Sequence, residues 1–399
     1  MIDIRRIIAF ALAGILLILS PYLLSGIPGF LVILAAAILW YKKSELWLCI
    51  TLGLVGLLGL VGIIPIFILC ASILIVATTE LIFSLMKGKT LEYALSFTGA
   101  LFIAAFVMEY LGSYPWLSVV VGTTVAVLIH SIIGTEKKAF AIELAGVAGV
   151  MFILNLLAYQ AAFPLVVTAA VVAFGFSYLA YRLKTADIPG LFSAALVGII
   201  LIVFAGISWF LIMLAFFVLG AMATRYQMDY KKSLQVEEAK GGVRGYINVF
   251  ANGLVSMIAA IGWGVTQHPV FIATYVGSVS TACADTIAGE IGVCSGKPLL
   301  ITTLQPVPEG TNGGISVLGE FAGLLGAFLI SACAFLLNAA DISIFAAAVV
   351  GGFIGTNLDS LIGELFENKK VFGNAGTNFL ATLGGGIITA LLWIIITHL

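Results

Sequence analysis

Charge is scarce in this 399-residue sequence: 9% of its residues are Asp, Glu, Lys or Arg, while 62% are hydrophobic. A soluble domain covers itself with roughly a quarter to a third charged residues, so that class is excluded. Mean hydropathy of +1.20 says the same. Cysteine and histidine are nearly as sparse. The five cysteines (49, 70, 283, 294, 333) form no C-x-x-C and the three histidines (130, 268, 398) are scattered, which argues against a zinc site or a disulfide framework. A net charge of -1 without a basic tail speaks against a nucleic-acid partner. No small-residue cleavage pattern separates the first apolar run from the second, so no cleavable signal peptide is expected. Nothing in the sequence specifies an oligomeric state.

What the chain does have is length of apolar sequence. Runs of about 20 apolar residues, enough to cross a hydrocarbon core of about 30 Å, follow one another from Ile7 onward. The expected fold is all-α: a polytopic integral membrane helical bundle of about 15 spans, the run from Phe30 to Trp40 being the shortest. Positive charge is placed in alternate turns. Arg5 and Arg6 precede the first span, and Lys42/Lys43, Lys87/Lys89, Lys137/Lys138, Arg182/Lys184, Arg225 to Arg244, Lys297 and Lys369/Lys370 follow the even-numbered ones. The opposite turns, such as "SGIPG" from Ser25 and "GSYPW" from Gly112, carry no Lys or Arg. All 18 Lys and Arg then lie on one side, which predicts a multi-pass protein of a cell or organelle membrane, with the N-terminus and the long loops cytoplasmic and the C-terminus external.

Two regions differ in character. Residues 1–184 form a transmembrane extension with short loops, where Glu80, Glu109 and Glu143 read as satisfied or interface-facing carboxylates, and Gly and Ala read as helix-packing residues. In residues 185–399 the loops lengthen and Asn, Thr, Gly and acids gather at their edges. The chemistry is expected there.

Its clearest mark is a pattern written twice. "ADTIAGEIG" (284–292) and "LDSLIGELF" (358–366) share D-[ST]-x-x-G-E, and each is followed by a loop and a G-T-N: Gly310-Thr311-Asn312, then Gly376-Thr377-Asn378. Both copies enter the membrane in the same direction, so a tandem parallel repeat of helix hairpins is expected. On a helix, residues four apart share a face, so Asp285 stands with Gly289 and Thr286 with Glu290, as Asp359 does with Gly363 and Ser360 with Glu364. Four carboxylates converging at a membrane surface would repel one another without a cation; Mg²⁺ shared with substrate phosphates is the usual solution. Asp285, Glu290, Asp359 and Glu364 are therefore the candidate catalytic acids, the first three also metal ligands. Pairing of the acids with Lys297, Lys369 or Lys370 is the structural alternative.

The glycine-rich turn "PEGTNGGIS" supplies Gly310, Thr311, Asn312, Gly313, Gly314 and Ser316 as candidate phosphate contacts, since glycine permits positive φ and a helix start directs N–H groups outward. No Gly-Lys-[Ser/Thr] follows, so it is not a P-loop. Lys297, Ser360, Asn374, Asn378 and Arg244 extend the candidate phosphate and nucleotide set. Asn248 and Asn252, at i and i+4 of one helix, join it, with helix-to-helix bonding as their plainer role. Carboxylates, glycine turns and an apolar bundle together point to phosphoryl transfer onto a membrane-dissolved substrate.

"DTIAGEIG", "PVPEGTNGGISVLG", "ANG" and "NLDSLIG" resemble the signature of the integral membrane family grouped as domain of unknown function 92, which includes the transmembrane protein 19-like proteins and the plant phytyl-phosphate kinase. The resemblance covers roughly the last 215 residues. It implies a prenyl-phosphate kinase, of phytyl or geranylgeranyl type, that makes the diphosphate from a membrane prenyl monophosphate with a nucleoside triphosphate, CTP or ATP, as donor. Carried over by position, it points to Asp285, Glu290, Gly310, Thr311, Gly313, Ser316, Asp359 and Ser360. The chain departs from shorter relatives by about eight extra leading spans, which leaves those spans without an assigned role. Cytidylyl transfer leaving a CDP-lipid and a prenol kinase are the enzyme alternatives. A secondary transporter is the alternative of another class, because repeated Gly-interrupted helices with intramembrane acids also describe transporters.

Overall fold

The computed structural model describes residues 14–24, 26–41, 45–86, 91–234 and 242–398. Arg5, Arg6, Lys42, Lys43, Lys87, Lys89 and Lys240, which carry part of the charge alternation, and Ser25 of an uncharged turn lie outside them. The described chain is a multi-pass membrane helical bundle. Twelve of its helices are long and apolar enough to cross a membrane: α3 (Ile66–Met86), α4 (Leu91–Leu111), α5 (Trp116–Ile133), α6 (Ala139–Leu156), α7 (Phe163–Arg182), α8 (Ile188–Ala205), α9 (Ile207–Arg225), α11 (Tyr246–Thr266), α12 (Val270–Gly292), α13 (Val317–Leu336), α14 (Ile342–Ile362) and α15 (Asn374–His398). Two shorter apolar helices, α1 (Ile27–Tyr41) and α2 (Leu46–Leu60), precede them, and α10 (Met228–Leu234) is a short polar helix. The first of the expected runs begins outside the described residues.

The chain divides into two compact units, Met1–Val171 and Val172–Leu399, the division falling inside α7 and not at the loop near residue 184. In the first unit α3 is the core helix, buried along most of its length and packed against α4, α5 and α6. In the second, α12 is central and packs against α9, α11, α13, α14 and α15.

Helix starts in the second unit follow local chemistry. Asp187, Ser316 and Asp341 cap α8, α13 and α14, each accepting from the backbone N–H three residues on (Gly190 at 2.8 Å, Gly319 at 3.1 Å, Ile344 at 2.8 Å). Such caps are worth about 1 kcal/mol each, and here they fix where each helix enters the bundle.

Small residues set the packing. Thr281 of α12 seats against Gly355 of α14 and Gly385 of α15, while Thr389 of α15 seats against Gly277 of α12 and Gly351 of α14; a side chain at any of these glycines would collide with the threonine. The two rungs are four residues apart on every helix, about 6 Å along the axis. In lipid, where apolar burial drives no association, such close backbone approach supplies the contact energy.

The two expected hairpins differ in their connections. Between α12 and α13 the loop folds on a two-stranded antiparallel ribbon, β1 (Leu299–Leu300) with β2 (Gly314–Ile315), and Gly310 and Gly313 take φ of +79° and +81°. Between α14 and α15 a π-helical turn (Gly363–Glu367) leads to a short connection, and Gly376-Thr377-Asn378 falls inside α15. The second G-T-N is thus helical where the first is a turn, because α15 already begins at Asn374.

Candidate functional site

Asp285 lies two turns before the end of α12, and Asp359 one turn before the end of α14. Because α12 and α14 cross closely, their carboxyls face each other near enough to interact, with the Thr356 hydroxyl beside Asp285. Both line a cavity of about 410 Å³. Around it the structure gathers Asp285, Glu290, Asp359, Ser360, Gly310 to Ser316, Arg244, Asn248, Asn252, Asn374 and Asn378. The two D-[ST]-x-x-G-E stretches and both G-T-N stretches therefore contribute to one cavity.

Each wall has its local cause. The left-handed backbone at Gly313 lets the ribbon loop lie against α14: an added Cβ would stand 2.6 Å from Cβ of Glu364 and 3.0 Å from the Ser360 carbonyl. Gly289, by contrast, has nothing within 4 Å of a hypothetical Cβ and leaves α12 bare toward the cavity. Arg244 is held by its backbone, its N–H donating to Thr185 O (3.0 Å) and its carbonyl accepting from the Asp187 N–H (3.3 Å). Its guanidinium lies 5.3 Å from the ring centres of both Phe216 and Phe217, in room that any side chain at Gly220 would take.

Two expected members stand elsewhere. Glu364 accepts from the N–H (3.3 Å) and the hydroxyl of Thr302, fastening the ribbon loop. Lys297 lines a separate groove with Glu320, Phe321 and Leu324. The hydroxyls of Ser316 and Thr311 are already engaged, donating to Gly292 O (3.1 Å) and Pro308 O (2.7 Å), so these residues shape the turn.

Other members were not anticipated. Thr356, Glu320 and Glu367 line the cavity; Thr377 donates to Glu367 (3.2 Å) and Asn357 to Glu320 (3.1 Å). Glu367 follows Asp359 and Gly363 at successive four-residue steps, a spacing that could have revealed it. Glu290 is engaged by Lys231 of α10, not by the lysines of the later loops. Lys231 is 1% exposed, donates to the carbonyls of Ala223 (3.2 Å) and Thr224 (2.8 Å) at the end of α9, and reaches Glu290 at 2.5 Å. Removing one member of a buried pair typically costs about 3 to 5 kcal/mol. Lys231→Met should thus lower the thermal unfolding temperature in detergent, and adding Glu290→Gln should recover part of the loss. Equal stability of Lys231→Met and the wild type would reduce the pair to a surface contact.

The donor set suits a hard divalent cation. Oδ1 of Asp359 and Oδ1 of Asn378 are buried and accept no hydrogen bond, an arrangement that costs about 1 to 3 kcal/mol per group unless something fills it. With Asp285 and Thr356 they line the same cavity and offer oxygen atoms alone, the ligand type that Mg²⁺ takes.

Fold and cavity together define a multi-pass membrane protein with a polar, carboxylate-bearing site at one end of a helical bundle. The chain belongs to the family described as integral membrane protein DUF92, whose model matches residues 171–392. Among curated relatives, an uncharacterized membrane protein of Methanocaldococcus jannaschii is 38% identical over 208 residues, covering 52% of this chain and 85% of its own length. An uncharacterized membrane protein of Synechocystis is 35% identical over 174 residues (42% and 67%), and protein VTE6 of Arabidopsis thaliana, a chloroplast protein, 30% over 213 residues (51% and 64%). No solved structure matches the chain.

Proposed function

We propose that the second unit is a Mg²⁺-dependent phosphotransferase that converts a membrane prenyl monophosphate to the diphosphate at the expense of a nucleoside triphosphate, CTP or ATP. One observation carries this reading: the polar cavity shares its Arg244, Asn248 and Asn252 wall with a narrow apolar groove of about 110 Å³, lined by Phe176, Val197, Phe210, Met213, Phe216 and Phe217. A site joining anion-binding groups to an apolar groove suits a substrate with a charged head and a hydrocarbon tail. Each CH₂-sized group kept from water is worth about 0.8 kcal/mol, so the tail stays in the groove and the surrounding lipid while the phosphate meets Arg244. Membership of the family that holds the plant phytyl-phosphate kinase supports the same reading.

In this scheme Asp285, Asp359, Thr356 and Asn378 hold the metal, which when bound supplies charge neutralisation for the transferring group. The turn Gly310 to Gly314 seats the donor phosphates. Arg244, with Asn248 and Asn252, orients the acceptor phosphate, whose oxygen is already an anionic nucleophile and needs no base. That oxygen bonds to the γ-phosphorus, the bond from the γ-phosphorus to its bridging oxygen breaks, and the nucleoside diphosphate leaves. The cavity opens at the helix ends that precede the loops bearing Lys297 and Lys369/Lys370, which supports a cytoplasmic mouth.

The test is direct. Purified protein incubated with prenyl monophosphates of several lengths and each γ-labelled nucleoside triphosphate should yield labelled prenyl diphosphate only when Mg²⁺ is present. Formation of a CDP-lipid in its place, or no product from any pair, would overturn the assignment.

A further inference from the structure

The first unit contains a second place where ligating side chains converge. We infer that Glu80, His130 and Glu143 form a binding site for a divalent transition-metal ion of the zinc type. Glu80 is on α3, His130 on α5 and Glu143 on α6, and their ligand atoms lie within 4.8 Å of one another. Nδ1 of His130 is 3.1 Å from Oε1 of Glu80 and 2.9 Å from Oε1 of Glu143. All three belong to the region preceding residue 171, so the site lies outside the segment that the family model matches.

Four observations favour an ion over a set of hydrogen bonds. An imidazole Nδ1 carries one hydrogen at most and cannot give a full bond to two carboxylate oxygens at once. An ion in that hydrogen's place is bound by all three groups together. Both glutamates are 0% exposed, and Oε2 of Glu143, on the carboxylate that faces His130, is buried and accepts no hydrogen bond. The charge also closes with an ion and no extra proton: two carboxylates, a neutral imidazole and a divalent ion sum to zero inside the apolar bundle, where without the ion a proton must be held on one of the two glutamates. Finally, the imidazole is held for the task. Phe83 stacks on it, with centroids 3.7 Å apart and planes 9° from parallel, and Gly134 leaves space at its other edge, where a Cβ would stand 2.5 Å from Nε2.

Metal bonds of about 2.1 Å in tetrahedral arrangement separate ligand atoms by roughly 3.4 Å, so the three groups need only part slightly to admit the ion. One nitrogen and two oxygens suit Zn²⁺ and its first-row neighbours better than Mg²⁺. Three protein ligands leave a coordination position open. His130, 11% exposed and three residues before the end of α5, gives the ion a path in.

The test counts metal in the full-length protein carrying Asp285→Asn and Asp359→Asn, so that the other cavity does not contribute. After stripping with a chelator and equilibration with Zn²⁺, elemental analysis should find about one zinc per chain. Adding Glu143→Gln or His130→Asn should lower that at least about fivefold, to the background of adventitious binding. X-ray absorption at the zinc edge of the otherwise native chain should show a shell of nitrogen and oxygen at about 2.0 to 2.1 Å without sulfur, a readout that stands even if the variants unfold. No zinc taken up by the stripped protein, zinc retained equally in both variants, or a sulfur-containing shell would overturn the assignment. Failure here leaves the phosphotransferase reading untouched, because that reading rests on the other unit.

Discussion

Asp285→Asn and Asp359→Asn are each expected to reduce Mg²⁺-dependent turnover at least about a thousandfold, the loss that about 4 kcal/mol of transition-state stabilisation represents. The substitution keeps volume and hydrogen-bonding reach while removing the charge that would hold the metal. It also removes a like-charged neighbour from the surviving carboxylate, so thermal stability should stay the same or rise. The two readouts together separate chemistry from structure. A variant that loses activity and unfolds at markedly lower temperature would mean that the pair supports the bundle, and wild-type turnover in either one would remove the shared metal site.

Gly313→Ala should be nearly as damaging, for a different reason. At φ +81° an alanine is strained by about 1 to 3 kcal/mol, and its methyl would press on Glu364 and on the Ser360 carbonyl. The ribbon loop would have to lift from the end of α14. Activity should fall at least about tenfold, carried by a higher KM for the nucleotide, since the turn is assigned to the donor phosphates. Gly289→Ala, which meets nothing within 4 Å, should fold with wild-type stability. If Gly313→Ala left KM unchanged, the turn would be a structural bend with no part in holding the donor.

Much of this cavity was legible in the sequence because its parts are local: an acid and a glycine four apart on one helix, and a glycine-rich turn ahead of a helix cap. The rest was hidden by distance along the chain or by register. Lys231 meets Glu290 across 59 residues, and its short helix gave no sign of direction. Glu364 completes the written motif, yet the acid of the π-helical turn that lines the cavity is Glu367, its last residue, two four-residue steps from Asp359. The match of G-T-N to G-T-N concealed a difference of conformation, since only the first is preceded by a ribbon that turns the chain. Scattered histidines argue against a zinc site, but His130 and Glu143, 13 residues apart, and Glu80, 50 residues before His130, are brought together by three helices.

The threonine-in-glycine seating of α12, α14 and α15 bears on how this bundle can move. Two keyed rungs at different depths resist sliding and screw rotation alike, because either motion drives a threonine side chain into helix backbone before the opposite face could part. A carrier that exposes one site alternately to the two sides of a membrane rocks one group of helices against another. Here the helices bearing both aspartates are keyed as a single piece, so any change of access to the carboxylates is expected to come from the loops and helices around that piece and not from a parting of α12, α14 and α15.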